Sequence, residues 1–365
     1  MHIRWVDFAA EYSHIKKELD EAYYRVMESG HYILGDEVKD FENEFAEKMG
    51  SKFCVGTGNG LEALHLVLKV MGIGNGDEVI VPANTYIATW NAVSLTGARP
   101  VPVEPDEETY NINPDLIEKS ISAKTKAILP VHLYGQPADM KPIMETAEKH
   151  GLWVLDDAAQ AHGSEYQGRR IGSLADATAF SFFPTKNLGA FGDAGAVTTN
   201  NGELAEKLYK LRNYGESRKY VNDMVGSNSR LDELQAAFLR VKLKHIDDIN
   251  KRKTEIANKY LKDITNPAIL LPKVLMNIKP VWHQFVIRTN HRDSLKQYLY
   301  ENKIETLIHY PIPPHLQSAY EFLKIHPEQH LLTKRLAGEV LSLPINWLMG
   351  NDSIDYVIEK LNFWE

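Results

Sequence analysis

Between Phe53 and Thr199 the chain repeats one pattern, a short apolar run followed by a stretch with apolar residues at helical spacing. The runs are Phe53-Cys54-Val55, Glu78 to Val81, Val101-Pro102-Val103, Ala127 to Val131, Leu152 to Leu155, Thr178 to Phe182 and Gly195 to Thr199. Short apolar runs alternating with helices imply a mostly parallel sheet covered on both faces, an α/β architecture. Pro102 has no N–H to give to a ladder, so its run belongs at an edge. In such sheets ligands gather at the carboxyl ends of the strands.

Helices fit between the runs. Val38, Phe41, Phe45 and Met49 lie on one helical face that stops at Gly50. Gly56-Thr57-Gly58-Asn59-Gly60 joins the first run to a helix carrying Leu61, Leu64, Leu68 and Met71. Strand, glycine-rich turn and helix form the layout of a phosphate-binding helix N-terminus. A long helical pattern from Leu231 to Tyr260 leaves this region, and the texture then changes. Val281 to Ile287 reads as a strand, Asp293 to Glu301 as a helix and Ile308 to Pro314 as a proline-rich loop. The expected organisation is a large domain over 1–245 and a smaller α+β domain over 246–365.

The balance of charges narrows the function classes. Among 365 residues the formal net charge is −8, which disfavours nucleic acid as a partner but leaves room for a local cationic pocket. Cys54 is the only cysteine, so no disulfide framework exists, and it reads as a buried packing residue. The apolar runs fall well short of the roughly 20 residues that span a bilayer, and Met1 to Asp7 carries no secretory signature. A cytoplasmic protein with no membrane partner is expected.

Two segments carry chemistry. Leu152-Trp153-Val154-Leu155-Asp156-Asp157-Ala158-Ala159-Gln160 puts carboxylates at a strand end, where the bland reading makes Asp157 a cap. Phe180-Ser181-Phe182-Phe183-Pro184-Thr185-Lys186-Asn187-Leu188-Gly189 puts a lysine just past another strand. A lone lysine is normally a solvated charge. Held against a packed strand end, it is partly desolvated, its pKa falls, and the amine becomes free to attack a carbonyl.

With these segments in order, and with Ser29 to Gly35, Gly76 to Pro82, Val131 to Gln136, Asn228 to Gln235 and His309-Tyr310-Pro311, the chain resembles the DegT/DnrJ/StrS sugar aminotransferases almost end to end. The resemblance implies the fold type I, aspartate aminotransferase-like architecture and pyridoxal 5′-phosphate as cofactor. It implies Lys186 as the cofactor's lysine and proton shuttle, Asp157 on the pyridine nitrogen, Gln160 near the phenolic oxygen and Tyr86 on the ring face. The phosphate would take the N–H groups of Gly60 and Leu61 and the Ser181 hydroxyl. Asn228 would reach it from the neighbouring subunit of a homodimer with shared active sites.

Departures are visible as well. Leu61 stands where many relatives have threonine, and Phe183 where tyrosine or histidine is common, so both lose a hydrogen bond. Retention of Lys186 counts against the family's dehydratase branch.

The substrate implied is a nucleotide-linked keto sugar, most closely a dTDP-3-keto-6-deoxyhexose aminated at C3, with L-glutamate as donor. His309 and Tyr310 would contact the sugar nucleotide, and Tyr32 would stand at the entrance. The plain alternative for His309-Tyr310-Pro311 is a rigid surface loop with a packed tyrosine. For His132 it is satisfaction of a buried backbone group. Arg230 could hold a carboxylate or simply pair with Asp232. Amination at C4 of a UDP- or dTDP-4-keto sugar, and a non-catalytic cofactor-binding regulator, are the competing functions.

Overall fold

The computed structural model describes residues 2–326 and 328–365. Each apolar run forms a strand of one sheet: β1 Phe53–Thr57, β2 Glu78–Pro82, β3 Arg99–Val103, β4 Thr125–Ile128, β5 Trp153–Asp157, β6 Ala177–Ser181 and β7 Gly195–Thr199. Their order is β1-β7-β6-β5-β4-β2-β3. β7 runs antiparallel to both β1 and β6, and the remaining pairs are parallel. β3, with Pro102, lies at the edge, as its missing N–H requires.

Side-chain alternation sorts the strands onto two cores. Cys54, Ile80, Ile128, Val154, Phe180 and Ala196 face one side, where α2 (Asp36–Met49) adds Phe41, Phe45 and Met49. Val55, Val79, Val81, Ala127, Leu155 and Val197 face the other, against α3 (Gly60–Val70) and α4 (Ile87–Leu95) with Leu64, Leu68 and Trp90. Burial of both faces explains why the runs are continuously apolar.

The 31-residue helix α7 (Glu233–Asp263) runs from the first core to a third one. That third core gathers Tyr260, Phe285, Leu341 and Leu343, and Ile3 from the start of the chain joins it. At the other end of α7, the buried Glu233 accepts from the N–H groups of Gly35, Glu37 and Val38, and so caps α2 from a distance.

One element is shorter than its pattern predicts. Only Phe285–Arg288 of the 281–287 run is a strand. Val281 gives its N–H to the Gly135 carbonyl, its carbonyl accepts from Asn187, and Trp282 takes a positive φ of 50°. The apolar pattern there serves packing against the large sheet rather than a ladder.

Among the described residues no helix is long and apolar enough to cross a membrane. Because β7 alone is reversed, the carboxyl ends of β1, β2, β4, β5 and β6 share one edge. The loops carrying Gly60, Tyr86, His132, Asp157 and Lys186 all open there.

Candidate active site

Lys186 sits in a tight turn after β6, its N–H bonded to the Phe183 carbonyl at 2.9 Å. The turn folds back on itself closely. A Cβ on Gly189 would come within 2.3 Å of the Pro184 carbonyl oxygen, so only glycine fits. Asn187 anchors the turn from behind, its amide donating to Asn250 Oδ1 at 2.8 Å and to the Val281 carbonyl at 2.7 Å. Loss of water around the amine brings the Lys186 pKa down to about 8, against the smaller opposing pull of Asp157.

Asp157 ends β5 and is buried. Thr89 donates to its Oδ2 at 2.8 Å and the Ala159 N–H to its Oδ1 at 3.1 Å. A turn rather than a helix follows β5, so Asp157 is not a helix cap; one of its oxygens closes that turn on Ala159, and Thr89 of α4 orients the other. Burial pushes the carboxyl pKa up, while the two hydrogen bonds and the Lys186 charge draw it down.

Histidines surround the lysine without competing for its charge. Burial drops His162 to about 3 and His309 to about 4, and takes His283 well below its ordinary value. In each case the nearby Lys186 pushes the same way. His132 does what its plain reading says, its Nδ1 accepting from the Ala138 N–H at 3.0 Å. That leaves a proton on Nε2, which faces Asp156 Oδ2 at 3.4 Å.

Above the lysine lies an aromatic wall. Tyr86 is half-exposed, with its ring 5.2 Å from that of Tyr310. Gln160 ties the wall to the sheet edge, donating to the Tyr310 hydroxyl at 3.1 Å and accepting from the Tyr134 N–H at 2.6 Å. Tyr134 in turn donates to the His309 carbonyl, and His309 Nδ1 meets Ser342 Oγ at 2.7 Å. The 309–310 loop is thus joined to the site, not a detached surface turn.

The helix N-terminus of α3 forms the other side. Asn59 caps it by accepting from the Glu62 N–H at 2.9 Å, and its carbonyl takes the Ala63 N–H. The first N–H groups, on Gly60 and Leu61, are those that a helix leaves without internal partners. Gly60 packs so closely on β6 that a Cβ there would lie 2.5 Å from Ser181 Cβ. The glycine therefore brings two backbone donors and the Ser181 hydroxyl into one cup, and Leu61 turns its side chain to the second core.

Two expected residues are exposed, and their recorded bonds are to other parts of this chain. Tyr32 is exposed and bonds the Met27 carbonyl at 3.5 Å. Asn228 is exposed and pairs through its backbone with Asn213. Among the described residues Arg230 pairs with neither Asp232 nor another acid; it donates to Asn213 Oδ1 at 3.0 Å and lies over the Tyr214 ring. Arg212 is buried against Glu42 and the Gly56 carbonyl, so it supports the β1 turn rather than a ligand. Arg212→Met should cost about 3–5 kcal/mol of stability by stranding Glu42. Urea denaturation would measure it, and a loss below about 1 kcal/mol would contradict the pairing.

Pyridoxal 5′-phosphate asks for a lysine of reduced basicity, a buried acid, an aromatic face and an anion cup. Lys186, Asp157, Tyr86 and the Gly60–Ser181 approach supply these at one sheet edge, so the residues present fit the group. Thr89 and His283 were not singled out in the sequence. Thr89 lies in the Asn84 to Thr89 segment but carries no signal of its own, and His283 lies inside the run read as a strand.

An α/β sheet with a desolvated lysine, a buried carboxylate and a helix N-terminus at one edge defines an enzyme of the aspartate aminotransferase architecture. The DegT/DnrJ/EryC1/StrS aminotransferase family model matches residues 13–362, and the chain belongs to that family. It is 52% identical over 347 residues to the dTDP-3-amino-3,6-dideoxy-alpha-D-galactopyranose transaminase of Aneurinibacillus thermoaerophilus, covering 95% of each chain. It is 49% identical to the dTDP-3-amino-3,4,6-trideoxy-alpha-D-glucose transaminase of Streptomyces venezuelae, covering 99% of this chain and 96% of that one. Its structure matches the crystal structure of S. venezuelae DesV in complex with a ketimine intermediate, with a TM-score of 0.98 and 48% identity. That match covers 100% of this chain and 98% of DesV.

Proposed function

We propose that the chain is a pyridoxal 5′-phosphate-dependent aminotransferase that moves the amine of L-glutamate to C3 of a dTDP-3-keto-6-deoxyhexose, as a cytoplasmic homodimer. The observation that carries this reading is the 52% identity, over nearly the whole chain, to a dTDP-3-amino sugar transaminase. When bound, pyridoxal 5′-phosphate withdraws electrons from the carbon that bears the nitrogen and so acidifies its hydrogen.

In this reading Lys186 holds the cofactor and moves a proton to and from the reacting carbon, helped by an amine of pKa about 8. Asp157, oriented by Thr89, balances positive charge at the pyridine nitrogen. Tyr86 covers the ring, and Gln160 supports its phenolic side. Gly60, Leu61 and Ser181 bind the phosphate. Asn228 of a second copy completes that cup, which matches its exposure on its own chain. His309, Tyr310 and Tyr32 would contact the sugar nucleotide. His309 is neutral at physiological pH and can donate a hydrogen bond without adding charge.

Turnover of paired 3-keto and 4-keto dTDP sugars, with the product resolved by NMR, tests the reading. Nitrogen at C3 supports it, and turnover of the 4-keto sugar alone overturns it. Cofactor capture supplies a second check. Only the neutral amine attacks an aldehyde, so the capture rate of cofactor-free protein should climb about tenfold per pH unit up to Lys186's pKa of about 8, then level off. Stopped-flow absorbance from pH 6 to 9 would show it, and a flat profile would count against a lowered lysine pKa.

A further inference from the structure

Midway along α7 stands a residue that neither helix propensity nor burial favours. Asn250 is 9% exposed, on a helix that runs from Glu233 to Asp263. Asparagine is a poor helix former, and it is seldom buried unless its amide has partners. No role in the proposed reaction uses it.

Both ends of that amide are engaged, and each holds a different loop of the site. Its Oδ1 accepts from Asn187 Nδ2 at 2.8 Å, one residue beyond Lys186. Its Nδ2 donates to the His162 carbonyl at 2.9 Å, in the loop that follows Asp157 and carries Gln160. Asn187 gives its other amide hydrogen to the Val281 carbonyl at 2.7 Å, so neither amide can flip without losing bonds. Gly163 brings the second loop close: its φ is +84°, and a Cβ there would lie 3.1 Å from Asn250 Nδ2.

The ladder between β5 and β6 ends at Asp157 and Ala179. Beyond it, the loop carrying Gln160 and the turn carrying Lys186 leave their strands. Asn250 ties them together again from a third element, through bonds that span 88 and 63 residues.

We propose that Asn250 is a positioning residue: it fixes the spacing between the lysine turn and the loop that follows Asp157, and so the placement of the Lys186 amine. This rests on Lys186 holding the cofactor, as proposed above, and is independent of the sugar. A misplacement of about 1 Å in a reacting group can cost on the order of 100-fold in rate. A loosened turn also admits water, and loss of water is what holds the Lys186 pKa down.

Asn250→Leu keeps the volume and removes both bonds. In the full chain without cofactor, trace acetylation mapped by mass spectrometry reads the pH midpoint of each lysine. The Lys186 midpoint should move up toward the ordinary 10.5, far enough to cut its neutral fraction at pH 7 at least about tenfold. Lys242 is the control, because burial lowers its pKa too and it lies eight residues away, about 12 Å along the same helix. Its midpoint should stay put. In the holoenzyme kcat should fall about 10- to 100-fold, with KM for the sugar within about twofold. If Asn250→Leu does not fold, Asn187→Ser cuts the same link from the loop side and should raise the Lys186 midpoint in the same way. An unmoved Lys186 midpoint, or one that moves together with that of Lys242, would overturn the role of Asn250 alone. Borohydride reduction of the native holoenzyme, which fixes the cofactor to its lysine, separates the other failure: label on a different lysine would overturn the site assignment itself.

Discussion

Lys186→Ala should lower the rate of amine transfer by at least about 10⁴-fold, the upper end of what a positioned proton-transfer group contributes. The loss should appear in kcat, because in the proposed function the residue moves a proton at the reacting carbon. Sugar contacts assigned to His309 and Tyr310 should leave KM for the sugar nearly unchanged. Lys186→Arg should lose as much. Arginine keeps the charge but cannot deprotonate, so it tests chemistry rather than electrostatics. Folding should survive either change, since the side chain lies at a sheet edge and the turn is anchored by Asn187.

The sign of the stability effect is informative. Lys186 has its pKa lowered to about 8, so folding disfavours its charged form. That cost is fully present below pH 8 and fades as pH rises toward the unfolded value of 10.5. The cofactor-free alanine variant should therefore melt no lower than the native chain at pH 7. A variant that melts well below the native chain at pH 7 would contradict the desolvation cost, and one that still turns over within tenfold of the native rate would remove Lys186 from the mechanism.

Legibility in the sequence followed the range of the interactions involved. The strands were readable because both faces of the sheet are buried, which makes each run apolar without reference to its partner. The strand-end positions of Lys186, Asp157 and Gly60 were readable from the pattern, whereas the roles proposed for them came from the family resemblance. Thr89 was not. Its tie to Asp157 spans 68 residues and exists only once the fold brings α4 to the end of β5. The same holds for α1 (Phe8–Ser29), whose buried Ile15, Leu19, Ala22 and Val26 rest on Ala237 and Val241 of α7. The 281–287 run misled because its β-branched and aromatic pattern suits a strand. Its first half instead meets Gly135 and Asn187, which the local pattern does not reveal.

Asp157→Asn should reduce turnover on the order of 10³-fold, the scale seen when a preorganised electrostatic partner is removed from a dry site. The change preserves shape. The amide oxygen can keep the hydrogen bond from Thr89 or from Ala159, so the strand end should hold its geometry. What disappears is the negative charge, which in the proposed function keeps the pyridine nitrogen protonated. Stability should move the other way. Burial raises the Asp157 pKa, so folding disfavours the carboxylate, and that cost grows as pH rises through the ordinary aspartate range. At pH 7 the cofactor-free asparagine variant should be at least as stable as the native chain. Thr89→Val separates orientation from charge. It removes one hydrogen bond to a charged oxygen, about 1.5–3 kcal/mol, and should cost roughly 10- to 100-fold while leaving the carboxylate in place. Steady-state rates of both variants with saturating cofactor decide the matter. If Asp157→Asn stays within about twofold of the native rate, the carboxylate is only a cap on the turn after β5, and the balancing charge must come from another residue.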